Sequence, residues 1–101
     1  MSLNNKERQA AAAEIAENLR RAGIDEPALQ ALTGLPDGRF AAALNVTAAC
    51  DPADVWLVRD AVVKAVVDAG AEPYPFSKMA DSMRDAAGKW FGYQRPEHLR
   101  Y

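Results

Sequence analysis

The stretch that decides the fold is EPALQALTGLPDGRFAAALNV, residues 26–46. Its first half follows the capping residue Asp25 and predicts a short helix that stops at Gly34, where a tight turn needs a residue that tolerates positive φ. Its second half predicts another helix that begins near Pro36 or Asp37. Two short helices joined by a glycine turn are typical of a helix-turn-helix, although any hairpin of two helices gives a similar pattern.

Two longer helices flank this stretch. Asn4 and Glu7 have capping-box spacing at the start of the first helix, and Gly23 is placed to end it. Asp51 followed by proline begins the other, which runs to Gly70. Both have an apolar face at helical spacing: Ala12, Ile15, Ala16, Leu19 and Ala22 in the first, and Val55, Trp56, Arg59, Val62, Val63, Val66 and Val67 in the second.

The last quarter of the chain is less regular. Residues 72–76, Glu-Pro-Tyr-Pro-Phe, are too rich in proline for a helix or a central strand. Ser77 is placed to cap a fifth helix that is interrupted near Gly88, and residues 89–101 form an aromatic and basic tail whose end we expect to be loose. No strand pattern or repeat occurs. The sequence predicts one all-α domain over residues 1–101, with four to five helices.

The charge distribution is unfavourable for a nucleic-acid-binding protein. The 101 residues contain 12 lysines and arginines and 14 acids, and the formal net charge is −2. Residues 1–76 hold seven basic and eleven acidic residues, whereas residues 77–101 hold five basic and three acidic ones. Because DNA affinity comes largely from neutralising phosphates, only the C-terminal quarter has the expected sign.

Residues spread along nearly the whole chain match the pattern of a known group of proteins. They are Ser2-Leu3-Asn4, Leu32 with Gly34, Phe40 with Leu44-Asn45, Asp51-Pro52-x-x-Val55-Trp56-x-x-Arg59-Asp60, Pro73-x-Pro75-Phe76-Ser77, and Trp90-Phe91. On these residues the sequence resembles an uncharacterised family of small bacterial proteins that carry a Cro/repressor-like helix-turn-helix. The motif around Trp56 and the Pro-x-Pro-Phe-Ser loop are its distinctive parts. The resemblance implies a repressor-like fold and no established activity.

The leading hypothesis is a homodimeric transcriptional regulator that binds double-stranded DNA. Arg39 is the one candidate for a base or phosphate contact in the first turn of the reading helix, and Gln30, Arg20 and Arg21 could assist it. Asp37 lies in the same turn with the wrong sign for a phosphate backbone, and three alanines follow Arg39. The chemistry of this helix is therefore weaker than its shape.

The rival hypothesis is a protein-interaction module of the same shape that does not bind DNA. The acidic body and the alanine-rich third helix motivate it. Near the C-terminus, Trp90 and Phe91 are expected to fill a core that has few other large residues, which leaves Tyr93 and Tyr101 free for an interface. A surface potential that is neutral or negative around the third helix would favour this rival.

Neither catalysis nor a cofactor is expected. The sequence has no phosphate-binding glycine loop, no nucleophile with a base, and no pair of metal ligands. Cys50, the only cysteine, excludes an internal disulfide, and His98 has no companion ligand. No apolar run approaches the roughly 20 residues needed to cross a bilayer. We therefore expect a cytoplasmic protein with no metal and no membrane partner.

Overall fold

The computed structural model describes residues 3–101, and over that range the protein is all-helical, with no strand. Five α-helices are present, as the sequence predicts; Ser2, one of the matching residues, lies outside the described range. Single 3₁₀ turns at Asp81–Met83 and Glu97–Leu99 complete the structure. The helices are α1 (Asn5–Ala22), α2 (Glu26–Thr33), α3 (Asp37–Leu44), α4 (Pro52–Asp68) and α5 (Arg84–Phe91).

Helix α4 is the central element, and α1, α2, α3 and α5 all pack on it. Its cap is the predicted one, since the Asp51 side chain accepts a hydrogen bond from the backbone N–H of Ala53. Because valine is a mediocre helix former, burial on several sides stabilises this helix more than intrinsic propensity does. The buried residues of α4 are Asp54, Val55, Trp56, Val58, Arg59, Asp60, Ala61, Val62, Val63 and Val66.

Helix α1 has the predicted capping box but a different buried face. Asn4 and Glu7 cap each other's backbone N–H groups. The predicted face was wrong at Ala16, which is exposed, because the buried residues are Ala11, Ile15, Asn18 and Ala22. The Asn18 amide faces the proline-rich loop, where it donates to the carbonyl of Tyr74 over 3.0 Å and accepts from its N–H over 2.8 Å. This polar contact determines the rotation of α1.

A turn at residues 34–36 connects α2 to α3, as the glycine predicts. Gly34 has φ of 71° and its N–H bonds back to the carbonyl of Gln30. The Gln30 side chain crosses the turn and donates to the Leu35 carbonyl and to the Asp37 carboxylate, over 3.0 and 2.8 Å. Leu29 of α2 and Phe40 of α3 are buried in the shared core. Both short helices are thus fixed by packing and by one side-chain bridge.

The C-terminal quarter departs from the prediction. Ser77 does not cap a helix: its hydroxyl donates to Glu14 of α1 over 2.8 Å, and α5 begins only at Arg84. Gly88 lies inside α5 and does not interrupt it. The expectation of a loose tail was also wrong, because Leu99 is completely buried and its 3₁₀ turn contacts α4.

Two glycines in and beside α3 provide a matched test of the turn. A Cβ would meet nothing within 4 Å at either Gly34 or Gly38, but only Gly34 has positive φ. We expect Gly34→Ala to lower the free energy of unfolding by about 1–2 kcal/mol, because an L side chain is strained in the left-handed region. Gly38→Ala should raise it by roughly 0.5 kcal/mol, because alanine is the better helix former. Urea denaturation measures both changes, and equal signs would contradict this account of the turn.

Candidate functional site

The surface of α2 and α3 is acidic. Between Arg21 and Arg59 the chain holds five carboxylates and one cation, Arg39, a formal net charge of −4 for that stretch. Arg39 lies in the first turn of α3 with 59% of its side chain exposed, at the predicted place. Its guanidinium is already bound, since Nε and Nη2 donate to the two oxygens of Asp54 over 2.9 and 2.7 Å. The one cation of this surface is therefore neutralised by a carboxylate of α4.

The other predicted DNA contacts also have partners within the chain. Arg20 and Arg21 both bind Glu17, over 2.6 and 2.7 Å, and hydrogen bonds from Arg20 and then Arg21 lower the pKa of Glu17 to about 2. Arg21 also donates to the Glu72 carbonyl over 3.0 Å. Gln30 bridges the turn described above. The structure thus joins Arg20 and Arg21 through one acid, and it holds Gln30 and Arg39 on separate partners.

A buried charged cluster lies where α4 meets the C-terminal quarter. Asp60 has no exposed surface, and its carboxylate accepts two hydrogen bonds from Arg84, over 2.7 and 2.8 Å. Tyr93 adds a third donor over 2.6 Å and Arg59 a fourth over 2.8 Å. Adjacent helical positions do not face each other, yet the long Arg59 side chain curves back to Asp60 while its Nε donates to the Met79 carbonyl over 2.9 Å.

The protonation states follow from these contacts. Burial raises the pKa of Asp60, but the hydrogen bonds from Arg84 and Tyr93 and the charges of Arg84 and Arg59 outweigh it, so the pKa lies below its ordinary value. Burial, and then the bond to Asp60, raise the pKa of Tyr93. At neutral pH the carboxylate is ionised and the phenol protonated. No buried side-chain polar atom among residues 3–101 lacks a partner, so every buried polar atom of this cluster is satisfied within the chain.

The structure reverses two of the aromatic predictions. Tyr93, expected at an interface, is only 8% exposed and contributes to the core, whereas Trp90, expected in the core, is 73% exposed. Phe91 is half-buried and packs against the core, as predicted, and Tyr101 is partly exposed beneath Arg95. A buried phenol needs an acceptor, and Asp60 supplies one. Asp60 was the missed signal, since a carboxylate in the middle of an apolar helix face requires donors from elsewhere in the chain.

Helix α5 has two different exposed sides. One side forms an apolar groove of about 170 Å³, with walls from Leu3, Trp56, Met83, Ala86, Ala87 and Phe91, which Lys78 and Trp90 also line. The other side forms a basic cleft of about 640 Å³, whose charged lining residues are Arg84, Lys89, Arg95, Arg100 and one acid, Asp85. Met83 and Trp90 are 44% and 73% exposed, so the groove carries a large accessible apolar surface. Sequence periodicity did not reveal this groove.

The remaining features of the described range concern metal ligands, membrane crossing, and two single side chains, Cys50 and His98. Among residues 3–101 no group of three or more His, Cys, Asp or Glu residues could hold a metal ion, and no helix has the length and apolar character to cross a membrane. Burial raises the pKa of the Cys50 thiol, so its position beside the α4 cap does not favour a thiolate. His98 lies 2.9 Å from the Leu32 carbonyl and fastens the tail to α2.

The chain belongs to a family described as an uncharacterized protein conserved in bacteria (DUF2316), whose family model matches residues 1–92. No curated protein and no solved structure matches the chain. The resemblance to an uncharacterised bacterial family is therefore confirmed. The matched range contains all five α-helices and the whole apolar groove.

The charged cluster generates a test of stability. Asp60→Asn removes the buried counter-ion of the buried Arg59 and the partly exposed Arg84, which then keep only the exposed Asp81, and we expect a loss of about 3–5 kcal/mol in the free energy of unfolding. Asp68→Asn is the matched control, because Asp68 is an exposed partner of Lys64 on the same helix and should change stability by less than about 1 kcal/mol. Thermal and urea unfolding measure both. Equal effects would contradict the structural role of Asp60.

The same variant gives a pH dependence of known sign. Because the folded-state pKa of Asp60 lies below its unfolded-state value of about 3.9, its contribution is complete above that value and is lost as the pH falls through the folded-state pKa. Wild-type stability should therefore fall more steeply on acidification than that of Asp60→Asn. Parallel curves from neutral pH to acid unfolding would show that Asp60 carries no such linkage.

Proposed function

We propose that this protein is an interaction module that binds another protein and uses a repressor-like helix-turn-helix as a scaffold without binding DNA. The observation that carries the proposal is the charge of α2 and α3. Five carboxylates accompany a single arginine between Arg21 and Arg59, and that arginine is paired. A helix that enters a groove of DNA meets about one phosphate charge per 1.7 Å of duplex. The exposed acids at α2 and α3, which are Asp25, Glu26 and Asp37, are repelled there, while Arg39 is already neutralised by Asp54.

Arg39 is a poor DNA contact for a second reason. The Nε–Nη2 edge of its guanidinium could bind a phosphate only by leaving Asp54, whose side chain is only 7% exposed, and its other N–H donors belong to a charge that Asp54 already neutralises. An ion pair at the surface contributes little, but a buried carboxylate that loses its partner costs about 1–3 kcal/mol. That cost would offset most of what one new phosphate contact contributes. Arg39 therefore stabilises the packing of α3 on α4 in preference to reading a base.

The accessible apolar surface supports a protein partner. The large exposed apolar side chains in the described range are Val67, Tyr74, Met83, Trp90 and Tyr101, and none lies on α2 or α3. Trp90 is the most exposed of them and lines the apolar groove beside Met83. Tryptophan is enriched among residues that dominate protein–protein binding energy, and exposed apolar patches mark interaction sites.

A homodimeric DNA-binding regulator is the second candidate. The observation in its favour is the order α2, glycine turn, α3, with Arg39 exposed in the first turn of the second helix. A homodimer would double its few contacts, and the basic cleft could add phosphate contacts. Arg39, Gln30, Arg20 and Arg21 would then form its contact set.

Fluorescence anisotropy on labelled mixed-sequence duplexes separates the two candidates. At about 50 mM salt, where phosphate contacts are strongest, we expect no binding by the wild-type protein at micromolar concentration. The Arg39→Ala variant should behave identically. The double variant Glu26→Lys, Asp37→Lys serves as the positive control, because it replaces two acids of the α2–α3 surface and should introduce weak, salt-sensitive binding.

Binding by the wild type that weakens steeply with salt and is lost in Arg39→Ala would overturn the proposal in favour of the DNA-binding regulator. Binding that survives Arg39→Ala but is lost when Lys89 and Arg95 become alanine would also overturn it, and would place the DNA contact in the basic cleft. Sedimentation at micromolar concentration measures the homodimer that the second candidate requires.

A further inference from the structure

We infer that the apolar groove binds a helical segment of a partner protein that carries carboxylates beside its apolar side chains; this inference rests on the proposed function and specifies its partner. The groove combines three features: an exposed tryptophan, a lining arranged along one side of a helix, and a cation, Lys78, in that lining with further cations across α5. Each feature restricts the chemistry of the occupant.

The apolar features call for an apolar anchor on the partner. Trp90 exposes 73% of its surface although its neighbour Phe91 packs against the core, and Met83, about two turns earlier on the same side, exposes 44%. The floor of the groove includes Trp56 of α4 and Ala87 of α5, both buried. A volume of about 170 Å³ is of the size of one or two aliphatic side chains. An aliphatic side chain of a partner that fills the groove would shield both the groove lining and Trp90 from water.

The arrangement along α5 favours a helical occupant. Met83, Ala86, Ala87 and Trp90 follow one another at helical spacing of i, i+3, i+4 and i+7, so the groove runs parallel to α5. Small alanines between two large exposed side chains leave room for a second helix to approach closely. An amphipathic helix that lays its apolar face into such a groove is a recurring mode of peptide recognition.

The charges call for an acidic flank. Lys89 precedes Trp90 in the sequence but lines the basic cleft on the other side of α5; it is exposed and forms no ion pair with any carboxylate of residues 3–101. Lys78, which lines the groove, is about half exposed and lies 3.2 Å from Glu7, so its ammonium group has further donors available. On the far side of α5 the basic cleft adds Arg95 and Arg100. Carboxylates of a partner would meet cations on both sides of α5.

Two other occupants of the groove are disfavoured: a second copy of this chain and the chain's own α2–α3 surface. In a symmetric pair of chains that share this groove, both copies would bring the same excess of cations to the interface, and like charges repel. The chain's own acidic surface on α2 and α3 has the right sign but, among the described residues, no large exposed apolar side chain to fill the groove. An external acidic segment satisfies both the apolar and the charge requirement.

Three synthetic helical peptides test the inference on the full chain. They share leucines at i, i+3, i+4 and i+7 and differ only in the flanking residues, which are glutamate, glutamine or lysine. Anisotropy of the labelled peptides at low salt measures binding. We expect the glutamate peptide to bind at least about tenfold more tightly than the glutamine peptide, and the lysine peptide most weakly.

Matched variants locate the contact. Trp90→Ala should weaken binding of the glutamate peptide by at least about tenfold, whereas Tyr74→Ala, which removes an exposed aromatic side chain elsewhere, should leave it unchanged. Lys89→Glu should weaken the glutamate peptide and strengthen the lysine peptide, while Lys64→Glu on α4 should do neither. Thermal unfolding confirms that each variant is folded, which the exposure of these side chains leads us to expect.

Four outcomes would overturn the inference: no binding of any peptide, binding that ignores the flanking charge, binding that survives Trp90→Ala, or wild-type self-association that Trp90→Ala abolishes. Vesicles with and without anionic lipid are the remaining arm, and a blue shift of Trp90 emission on anionic vesicles would assign the surface to a membrane instead. DNA binding in the earlier assay would overturn the proposed function. Failure of the peptides without DNA binding would overturn this inference alone.

Discussion

The packing of the C-terminal quarter depends on one buried carboxylate. Asp60 lies in the middle of the central helix with no exposed surface, and it is ionised. A charge in that position is tolerated only when donors surround it, and here they come from Arg59 of α4, from Arg84 at the start of α5, and from Tyr93 beyond its end. The carboxylate therefore fastens both ends of α5 to α4. In return, Asp60 gives each of these donors an acceptor.

This attachment explains why a tryptophan is exposed. With Arg84 held on Asp60, the residues of α5 that lie toward α4 are those three and seven positions later, Ala87 and Phe91. Trp90 falls about a quarter turn away from that direction and cannot reach the core. Gly92, with φ of 67°, then ends the helix and returns the chain so that Tyr93 is buried. The apolar groove is thus a consequence of the network and not a defect of packing.

Local signals in the sequence predicted the helices well and their contacts less well. The caps at Asn4, Asp25 and Asp51 and the turn glycine at Gly34 act within a few residues, so a pattern can find them. Serine is a common capping residue, yet the Ser77 hydroxyl donates its hydrogen bond to Glu14, 63 positions away. Trp90 and Tyr93 were assigned to the wrong environments for the same reason. Asp60, whose carboxylate holds Tyr93 in the core, lies on another helix. The sequence showed where the candidate DNA-contact residues lie on the helices. It did not show which carboxylates of the same chain bind them.

The two surfaces of the molecule differ in sign, and this difference connects the shape of the fold to its proposed use. The stretch that contains α2 and α3 carries a net charge of −4, whereas residues 77–101, which contain α5, carry an excess of two cations. A field of this kind repels polyanions from α2 and α3 and draws an acidic segment toward α5 before any contact forms. The carboxylates of a partner would then orient it on α5 as well as increase its affinity. The α2–α3 hairpin contributes a rigid support for α4, and α4 in turn holds α5 and the exposed tryptophan in place.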